Sequence, residues 1–271
     1  MTRPKVTMEY AHFCDLAEQA KTLGATDISI FGYGEPLMDN HLWEKVFKCI
    51  HFNTHITTNG SILPENVAYQ LLNSGLKNIR FSVHGFGSAY DRVHKGLCWE
   101  KTIFNIFQFL KINDEKFNHA CKTEISVIPM HGESLDAIRT YWEDMVDYLE
   151  VWKPHGWAGG RNYRKVDRKK VTCGRPFRGP VQVQADGKMI VCCFDTNGEL
   201  EVGDTHKQSI EEILKSDRFN DIREAHTTGN HNGLICRACD QLNIEETSPL
   251  LYSNHDVTCE VGKTSSIKFK L

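Results

Sequence analysis

The sequence predicts an α/β fold of parallel strands and crossover helices, followed by a smaller domain built around a metal centre. Three observations predict it. Strand-like and helix-like segments alternate over the first 157 residues, the composition turns polar and basic between Ala158 and Lys170, and four cysteines with metal-ligand spacing follow. Regular alternation of this kind is typical of a parallel sheet, either open or closed into a barrel.

The individual elements follow from periodicity and from turn residues. Helices are predicted where apolar residues recur at helical spacing, with Gly24 after the first helix, Pro64 near the start of the third and Gly75 after its end. The predicted strands are residues 28–31, 55–58, 79–83, 123–128 and 149–152. The predicted helices are residues 8–23, 41–50, 64–72, 99–112, 134–148 and 209–225.

Composition narrows the class of protein. The 271 residues include 32 basic and 35 acidic side chains, a net charge of −3, which gives no electrostatic argument for nucleic acid or an anionic membrane as a partner. No apolar run is long enough to span a bilayer, and the first residues lack a signal-peptide core. Ten cysteines without a secretion signal favour a reducing compartment, so we expect a cytoplasmic protein whose thiols are metal ligands or buried.

The cysteines of the second half carry the clearest chemical signal. Residues 236–239 read Cys-Arg-Ala-Cys, a spacing that puts two sulfurs on one turn, and the strand-like residues 180–191 turn at Asp186-Gly187. Together they indicate a four-thiolate site for zinc or an iron–sulfur cluster, since thiolate spacing alone does not separate the two. Cys193 adjoins Cys192 and competes with it as a ligand, while Cys259 lies in the C-terminal tail with an open role. The predicted metal ligands are Cys173, Cys192, Cys236 and Cys239.

Polar and glycine-rich residues follow the predicted strands. They are residues 32–36, 58–60, 84–85, 129–130 and 154–155. In a parallel sheet the carboxyl ends of the strands meet at one edge, where functional groups gather. These segments therefore predict a ligand site at that edge.

The motifs together resemble radical S-adenosylmethionine (SAM) enzymes that carry a SPASM/twitch domain. Residues 32–36, Gly-Tyr-Gly-Glu-Pro, resemble the GGEP motif of that family, and the order cysteine, Asp-Gly hairpin, cysteine, helix, CxxC resembles its cysteine module. The resemblance covers roughly residues 1–242 and implies a partial (βα)6 TIM-like barrel that lacks its first strand, followed by a small α+β iron–sulfur domain. It divides the chain into a core at residues 1–157, the SPASM/twitch domain at 158–245 and a tail at 246–271.

The resemblance also implies cofactors and binding residues. SAM would be contacted by the GGEP-like segment, with Glu35 as the acceptor for the SAM ammonium, and one auxiliary [4Fe–4S] cluster would be held by the four cysteines, with Cys192 preferred over Cys193. Plain structural roles stay open for these residues: a solvated carboxylate at Glu35, a simple turn at Asn59-Gly60 and a buried hydroxyl at Ser82. The predicted SAM-binding residues are Gly32, Gly34, Glu35, Pro36, Thr58, Asn59, Ser82 and His155.

One family motif is missing from the sequence. The radical-generating cluster of these enzymes is held by CxxxCxxC, and none of the ten cysteines forms that pattern. We therefore expect an N-terminally truncated member, with the SAM-binding [4Fe–4S] cluster present only in a full-length form; a degenerate protein that has lost the chemistry is the alternative explanation of the missing motif. The implied activity is reductive cleavage of SAM and hydrogen abstraction from a peptide or small molecule such as an aminocyclitol, with flavodoxin or ferredoxin as electron donor. The alternative is a non-catalytic module that binds zinc or an iron–sulfur cluster.

Overall fold

The computed structural model describes residues 2–129, 134–152, 154–161, 169–243 and 250–253. The chain divides into two compact units. The first unit combines residues 1–25 with residues 155–247, and the second combines residues 26–154 with residues 248–271. The predicted boundary at residue 157 lies close to the division between residues 154 and 155. Residues 1–25, however, group with the cysteine-bearing segment. The predicted domain limits therefore stay a prediction.

The helices and strands of the described residues are as follows. The helices are α1 Tyr10–Thr22, α2 Leu42–Lys48, α3 Glu65–Asn73, α4 Ser88–Val93, α5 Trp99–Phe117, α6 Leu135–Trp142, α7 Arg175–Arg178, α8 Ile210–Leu214 and α9 Asp217–Thr228. The strands are β1 Asp27–Ser29, β2 Asn53–Thr58, β3 Asn78–Ser82, β4 Lys122–Val127, β5 Tyr148–Val151, β6 Gln182–Val183, β7 Lys188–Ile190, β8 Glu201–Asp204 and β9 Leu250–Ser253.

The second unit is a sheet with helical crossovers, which confirms the predicted α/β class. Strands β1 to β5 are parallel neighbours in chain order, and β9 pairs antiparallel with β5. The five predicted strands are found within two residues of their predicted positions. Strand β9 lies in the stretch predicted as a tail, and closure of the sheet into a barrel stays a prediction.

Alternating burial explains why these strands form one sheet. Ile56, Ile79, Phe81 and Ile125 are fully buried on one face, where they join the helices in a hydrophobic core. Phe81 meets Phe109 of α5 edge to face, with ring centroids 5.6 Å apart. On each strand, the residues directly before and after these point to the opposite face, because side chains alternate along a strand.

Two helices of this unit differ from the prediction. Helix α6 ends at Trp142, and the predicted extension to residue 148 is wrong because Tyr148 starts β5. Helix α4 was not predicted. Its six residues are too few to show helical periodicity, and Gly85 and Gly87 before it both have positive φ angles, which signal a turn.

The first unit contains a three-stranded antiparallel sheet, β6-β7-β8, beside α8 and α9. The hairpin turns at the predicted Asp186-Gly187, where Gly187 has φ 78° and an added Cβ would lie 2.4 Å from the ring of His206. The predicted single helix at 209–225 is wrong, since Ser216 caps a new helix there with its hydroxyl. Strand β8 was not predicted, because glycines interrupt the apolar residues of this stretch.

Helix α1 is bound to this unit by hydrogen bonds. The side chain of Gln19 accepts from the backbone N–H of Ile210 at 2.8 Å, and Nε2 of His12 lies 2.9 Å from Oγ1 of Thr205. Arg3 reaches the carbonyl of Asp195 at 3.3 Å. No helix among the described ranges has both the length and the apolar character that a membrane crossing requires.

Candidate functional site

The loop after β1 is organised by Glu35. Its carboxylate caps the short 3-10 helix Pro36–Met38 by accepting from the backbone N–H of Leu37 at 3.1 Å. Pro36 occupies the first helical position, where its missing N–H costs nothing. The GGEP-like sequence therefore has a local structural explanation as a capped turn.

The same carboxylate holds the end of β2. Oε1 of Glu35 accepts from the hydroxyl of Thr58 at 2.5 Å, and Oε2 accepts from the backbone N–H of Asn59 at 2.8 Å. The Thr58 hydroxyl in turn accepts from the N–H of Gly60 at 3.0 Å. The structure thus brings together Glu35, Thr58 and Asn59, which the sequence placed 23 and 24 residues apart.

Gly32 and Gly34 border open space. Both are exposed, and an added Cβ at either would meet no described atom within 4 Å. Neither has a positive φ angle. The protein's own packing therefore does not explain glycine at these positions, while close approach of a ligand to the backbone would.

The end of β3 carries Ser82 and a pair of histidines. Ser82 is half-buried and is the register partner of Ser126. The backbone N–H of His84 donates to Nε2 of His94 at 3.1 Å, and that of Ile128 donates to Nδ1 of His84 at 3.1 Å. Each ring therefore uses one nitrogen as an acceptor, which fixes its neutral tautomer. His94 was missed by the sequence because it lies in the unpredicted α4 region, and Met130 lies outside the described residues.

A charged cluster on the polar face of the sheet was also missed. Nε of Arg80 lies 2.7 Å from Oε1 of Glu124 without hydrogen-bond alignment, and its Nη2 lies 3.2 Å from Oε1 of Glu150. Burial raises the pKa of Glu124 to about 8 despite the opposing charge of Arg80. Burial, helped by Arg80, lowers the pKa of the nearby His55 to about 4. Polar or charged residues at alternate positions along β3 and β4 are the signal that would have found this cluster.

His155 belongs to the first compact unit, whereas the other seven predicted SAM-binding residues belong to the second. Its ring centroid lies 4.4 Å from that of Phe194 and 4.7 Å from that of Trp157. Phe194 directly follows Cys193. The structure therefore packs His155 against the cysteine loop.

The predicted cysteine ligands all lie in the first unit as free thiols. Cys236 sits in the 3-10 helix Ile235–Ala238 and Cys239 caps its end. Burial, and then the charges of Cys173 and Cys239, raise the pKa of Cys236 to about 12. Burial likewise raises the pKa of Cys239 to about 11, with smaller contributions that include Cys173. Three of the four thiols are therefore near enough to influence one another.

Cys192 and Cys193 interact closely. A hydrogen bond with Cys193, followed by burial, raises the pKa of Cys192, while the same bond lowers that of Cys193 to about 6. Cys192 packs against the same apolar cluster as Cys236, and its sulfur accepts from the N–H of Phe194 at 3.4 Å. The choice of Cys192 as the ligand stays a prediction.

The donor set matches a cluster site in its chemistry. Four thiols from a hairpin and a CxxC turn are what zinc and iron–sulfur sites use. Across the described ranges, no three His, Cys, Asp or Glu side chains are positioned to hold one metal ion. Cys259 lies outside the described residues.

His226 is a further polar contact of this site that the sequence did not reveal. Its side chain is 1% exposed, its Nε2 lies 3.4 Å from Sγ of Cys236, and its Nδ1 lies 3.0 Å from Oγ1 of Thr172. Burial, and then the charge of His231, lower the pKa of His226 to about 4. A histidine ten residues before a CxxC is too weak a signal to have found it.

Comparison with known proteins gives the family context. Residues 173–240 match the model described as SPASM, an iron-sulfur cluster-binding domain. The chain is similar to the crystal structure of BtrN in complex with AdoMet and 2-DOIA, with 19% identity, 86% of this chain and 79% of that chain covered, and a TM-score of 0.55. Native anSMEcpe with bound AdoMet is 10% identical, with coverages of 91% and 85% and a TM-score of 0.61.

A third similar structure is Streptococcus suis SuiB bound to the precursor peptide SuiA. It is 14% identical, with 86% of this chain and 63% of that chain covered and a TM-score of 0.62. No curated protein sequence matches the chain. The predicted resemblance is confirmed for the fold, which is similar to the folds of BtrN, anSMEcpe and SuiB, and for the cysteine module, because residues 173–240 match the SPASM model.

Proposed function

We propose that this chain is a radical SAM/SPASM-type protein that binds SAM at the carboxyl edge of its parallel sheet and one auxiliary [4Fe–4S] cluster at its four cysteines. The observation that carries the proposal is the Glu35 carboxylate, which joins the GGEP-like loop to Thr58 and Asn59. In a full-length form that also carried the CxxxCxxC cluster, bound SAM would supply a 5′-deoxyadenosyl radical for hydrogen abstraction from a substrate.

The geometry of Glu35 supports a role toward an ammonium group. A carboxylate offers about four acceptor positions. The backbone of Leu37, the hydroxyl of Thr58 and the backbone of Asn59 use three of them, two on Oε1 and one on Oε2. Oε2 thus keeps an acceptor position for the SAM ammonium, and the fixed bonds hold it in place before the ligand arrives.

The neighbouring residues have complementary roles in the proposal. Gly32 and Gly34 leave the loop backbone open to the ligand. The half-buried hydroxyl of Ser82, at the end of β3, hydrogen-bonds the ribose or carboxylate. His155, the eighth predicted SAM-binding residue, packs against Phe194 and Trp157 within the other compact unit.

The four cysteines Cys173, Cys192, Cys236 and Cys239 hold the auxiliary cluster in this proposal. The substrate is a peptide or a small molecule, and a flavodoxin or ferredoxin supplies electrons. The solved structure of SuiB contains a precursor peptide and that of BtrN contains 2-DOIA, so both substrate classes have a precedent on this fold. The fold by itself does not fix the substrate.

The experiment is anaerobic titration calorimetry of SAM with reconstituted protein. Glu35→Gln is expected to weaken SAM binding because it removes the negative charge but keeps an oxygen for Thr58. Glu44→Gln is the matched control, since Glu44 is also an acidic residue near this loop but pairs with His41. Wild-type protein that does not bind SAM, or equal affinity in Glu35→Gln, contradicts the proposed site.

A second candidate is a non-catalytic metal-binding module. It is favoured by the absence of CxxxCxxC from the 271 residues. Elemental analysis after anaerobic purification separates the two, because stoichiometric zinc without iron supports the module and about four irons per chain support the cluster.

A further inference from the structure

The ring of His226 lies between a hydroxyl and a cysteine sulfur. Helix α9 places it there, with Oγ1 of Thr172 3.0 Å from Nδ1 and Sγ of Cys236 3.4 Å from Nε2. Both ring nitrogens of His226 therefore have a polar neighbour, although the residue is only 1% exposed. The two neighbours belong to the two segments that supply cysteine ligands, one residue before Cys173 and at Cys236 itself.

The direction of these hydrogen bonds follows from the state of the sulfur. A cysteine that ligates iron is a thiolate, which has no proton and can only accept. Nε2 of His226 must then carry the proton and donate it toward Sγ of Cys236. A neutral imidazole has only one N–H, so Nδ1 becomes the acceptor, and the Thr172 hydroxyl donates to it.

The remaining contact of Thr172 agrees with this direction. Its oxygen already accepts from the backbone N–H of Gly174 at 2.9 Å, and its single hydroxyl proton is left to donate to Nδ1. The result is a chain from Gly174 through Thr172 and His226 to Cys236. Each bond of the chain points toward the sulfur.

The surroundings make this donor important. Cys236 packs against an apolar cluster that includes Phe219 and Ile222 of α9, and in such a low-dielectric setting a hydrogen bond to a charged sulfur is strong. Cys192 accepts instead from the backbone N–H of Phe194 at 3.4 Å. Hydrogen bonds to cluster sulfurs help to set reduction potentials, because they stabilise the more negative reduced form.

We infer that His226 is a positioning residue that donates its Nε2–H to the Cys236 thiolate and raises the reduction potential of the auxiliary cluster, with Thr172 holding the ring in the donating tautomer. The inference rests on the proposed cluster at the four cysteines. It predicts that the potential depends on a residue that is not itself a ligand.

The test is an EPR-monitored redox titration of the reconstituted full chain. His226→Leu removes the donor and is expected to make the cluster harder to reduce by about tenfold in the reduction equilibrium, a shift of about 59 mV to more negative potential for one electron. His226→Gln retains an N–H at similar reach and is expected to recover most of the shift. Thr172→Val keeps the shape of the side chain but releases the tautomer, so an intermediate shift is expected.

His231→Phe is the matched control. His231 meets the His226 ring edge to face at a centroid distance of 4.6 Å, so the variant keeps a ring beside His226 and leaves the donor in place. Its potential should remain at the wild-type value. If the His226 ring acted only through packing, His231→Phe would shift the reduction potential as much as Thr172→Val does.

The outcomes separate the two hypotheses. Wild-type protein that takes up no iron overturns the cluster and the inference together. Iron-loaded wild type with an unchanged potential in His226→Leu overturns the inference alone. If His226→Leu takes up no iron, the His226→Gln and Thr172→Val variants decide, and wild-type potential in Thr172→Val overturns the role of the hydrogen-bonded chain.

Discussion

The hydroxyl of Thr58 donates to the carboxylate of Glu35 at 2.5 Å, and this bond joins the loop after β1 to the end of β2. Thr58 is 2% exposed, whereas Glu35 is half-buried. A residue expected to recognise a cofactor therefore also stabilises the edge on which the cofactor would bind. Different substitutions of Glu35 therefore test its two roles: Glu35→Ala tests the stability of this edge, and Glu35→Gln tests SAM binding.

Glu35→Ala is expected to destabilise the protein, because it leaves the N–H groups of Leu37 and Asn59 and the hydroxyl of Thr58 without their acceptor. The cost should be about 2 kcal/mol, given about 1 kcal/mol for a typical hydrogen bond and partial compensation by water. Glu35→Gln should cost less, since one oxygen remains. Urea unfolding measures both, and an alanine variant as stable as wild type would contradict the assigned role.

Iron content should depend on particular cysteines. Alanine substitution of Cys173, Cys192, Cys236 or Cys239 is expected to lose or destabilise the cluster, whereas Cys193→Ala should retain it, because Cys192 packs against the same apolar cluster as Cys236. The measurement is iron per chain with visible absorption after anaerobic reconstitution. Loss of iron from Cys193→Ala with retention in Cys192→Ala would assign the ligand to Cys193 instead.

The 271-residue chain alone is expected to make no 5′-deoxyadenosine. Reductive cleavage of SAM needs an iron with an open coordination position, which a three-cysteine site provides and a four-cysteine site does not. No CxxxCxxC occurs among its ten cysteines. Mass spectrometry of an anaerobic reaction with strong reductant provides the test, and product above the no-protein background would show that the reasoning fails.

The buried Asp147 predicts a pH dependence of stability. It accepts from Nε2 of His119 at 2.9 Å, Nζ of Lys122 at 3.1 Å and the backbone of Thr123 at 2.8 Å. Burial alone would raise the pKa of Asp147, but these hydrogen bonds outweigh it and lower the pKa. The pKa of His119 is raised, chiefly by its hydrogen bond to Asp114 and then by Asp147 against the effect of burial.

The two shifts have opposite consequences. The raised pKa of His119 contributes stability that is fully present below its unfolded value of 6.5 and is lost as the pH rises through the folded value. The lowered pKa of Asp147 contributes stability that is present above its unfolded value of 3.8 and is lost as the pH falls. The pair is therefore most stabilising between about pH 4 and pH 6.5.

His119→Gln isolates the alkaline part of this dependence. Its free energy of unfolding should fall below that of wild type at about pH 6, and the difference should shrink as the pH rises to about 9. Denaturant titrations of both proteins across this range provide the measurement. A difference that stays constant with pH would mean that His119 contributes packing and not charge.

Much of the sheet could be predicted from the sequence because its signals are local. The strands around Ile56, Phe81 and Ile125 alternate buried and half-buried residues, and turn residues such as Gly75 mark the preceding helix ends. Helix α6 was overextended because Trp142, Val146 and Leu149 are all apolar, so helical spacing continued through the turn that precedes β5. Apolar residues mark burial but not the element that achieves it.

The site was predicted only where a motif carried it. Residue types around Glu35, Asn59 and the CxxC identified the two regions, but the bond from Thr58 to Glu35 depends on strand order. The contact of His226 with Cys236 depends on how α9 packs, and the Arg80–Glu124 contact depends on the register of β3 and β4. These pairs are set by tertiary structure and leave no short-range pattern in the chain.

The hydrogen bonds from residues 2–25 to the cysteine-bearing unit have a consequence for synthesis on the ribosome. Thr2 pairs with Asn197, His12 with Thr205 and Gln19 with Ile210, across 191 to 195 residues. The parallel strands β1 to β5 can assemble during translation, whereas helix α1 must wait until residue 210 has emerged. An early halt in translation, before residue 197, would leave α1 and the residues before it without these partners.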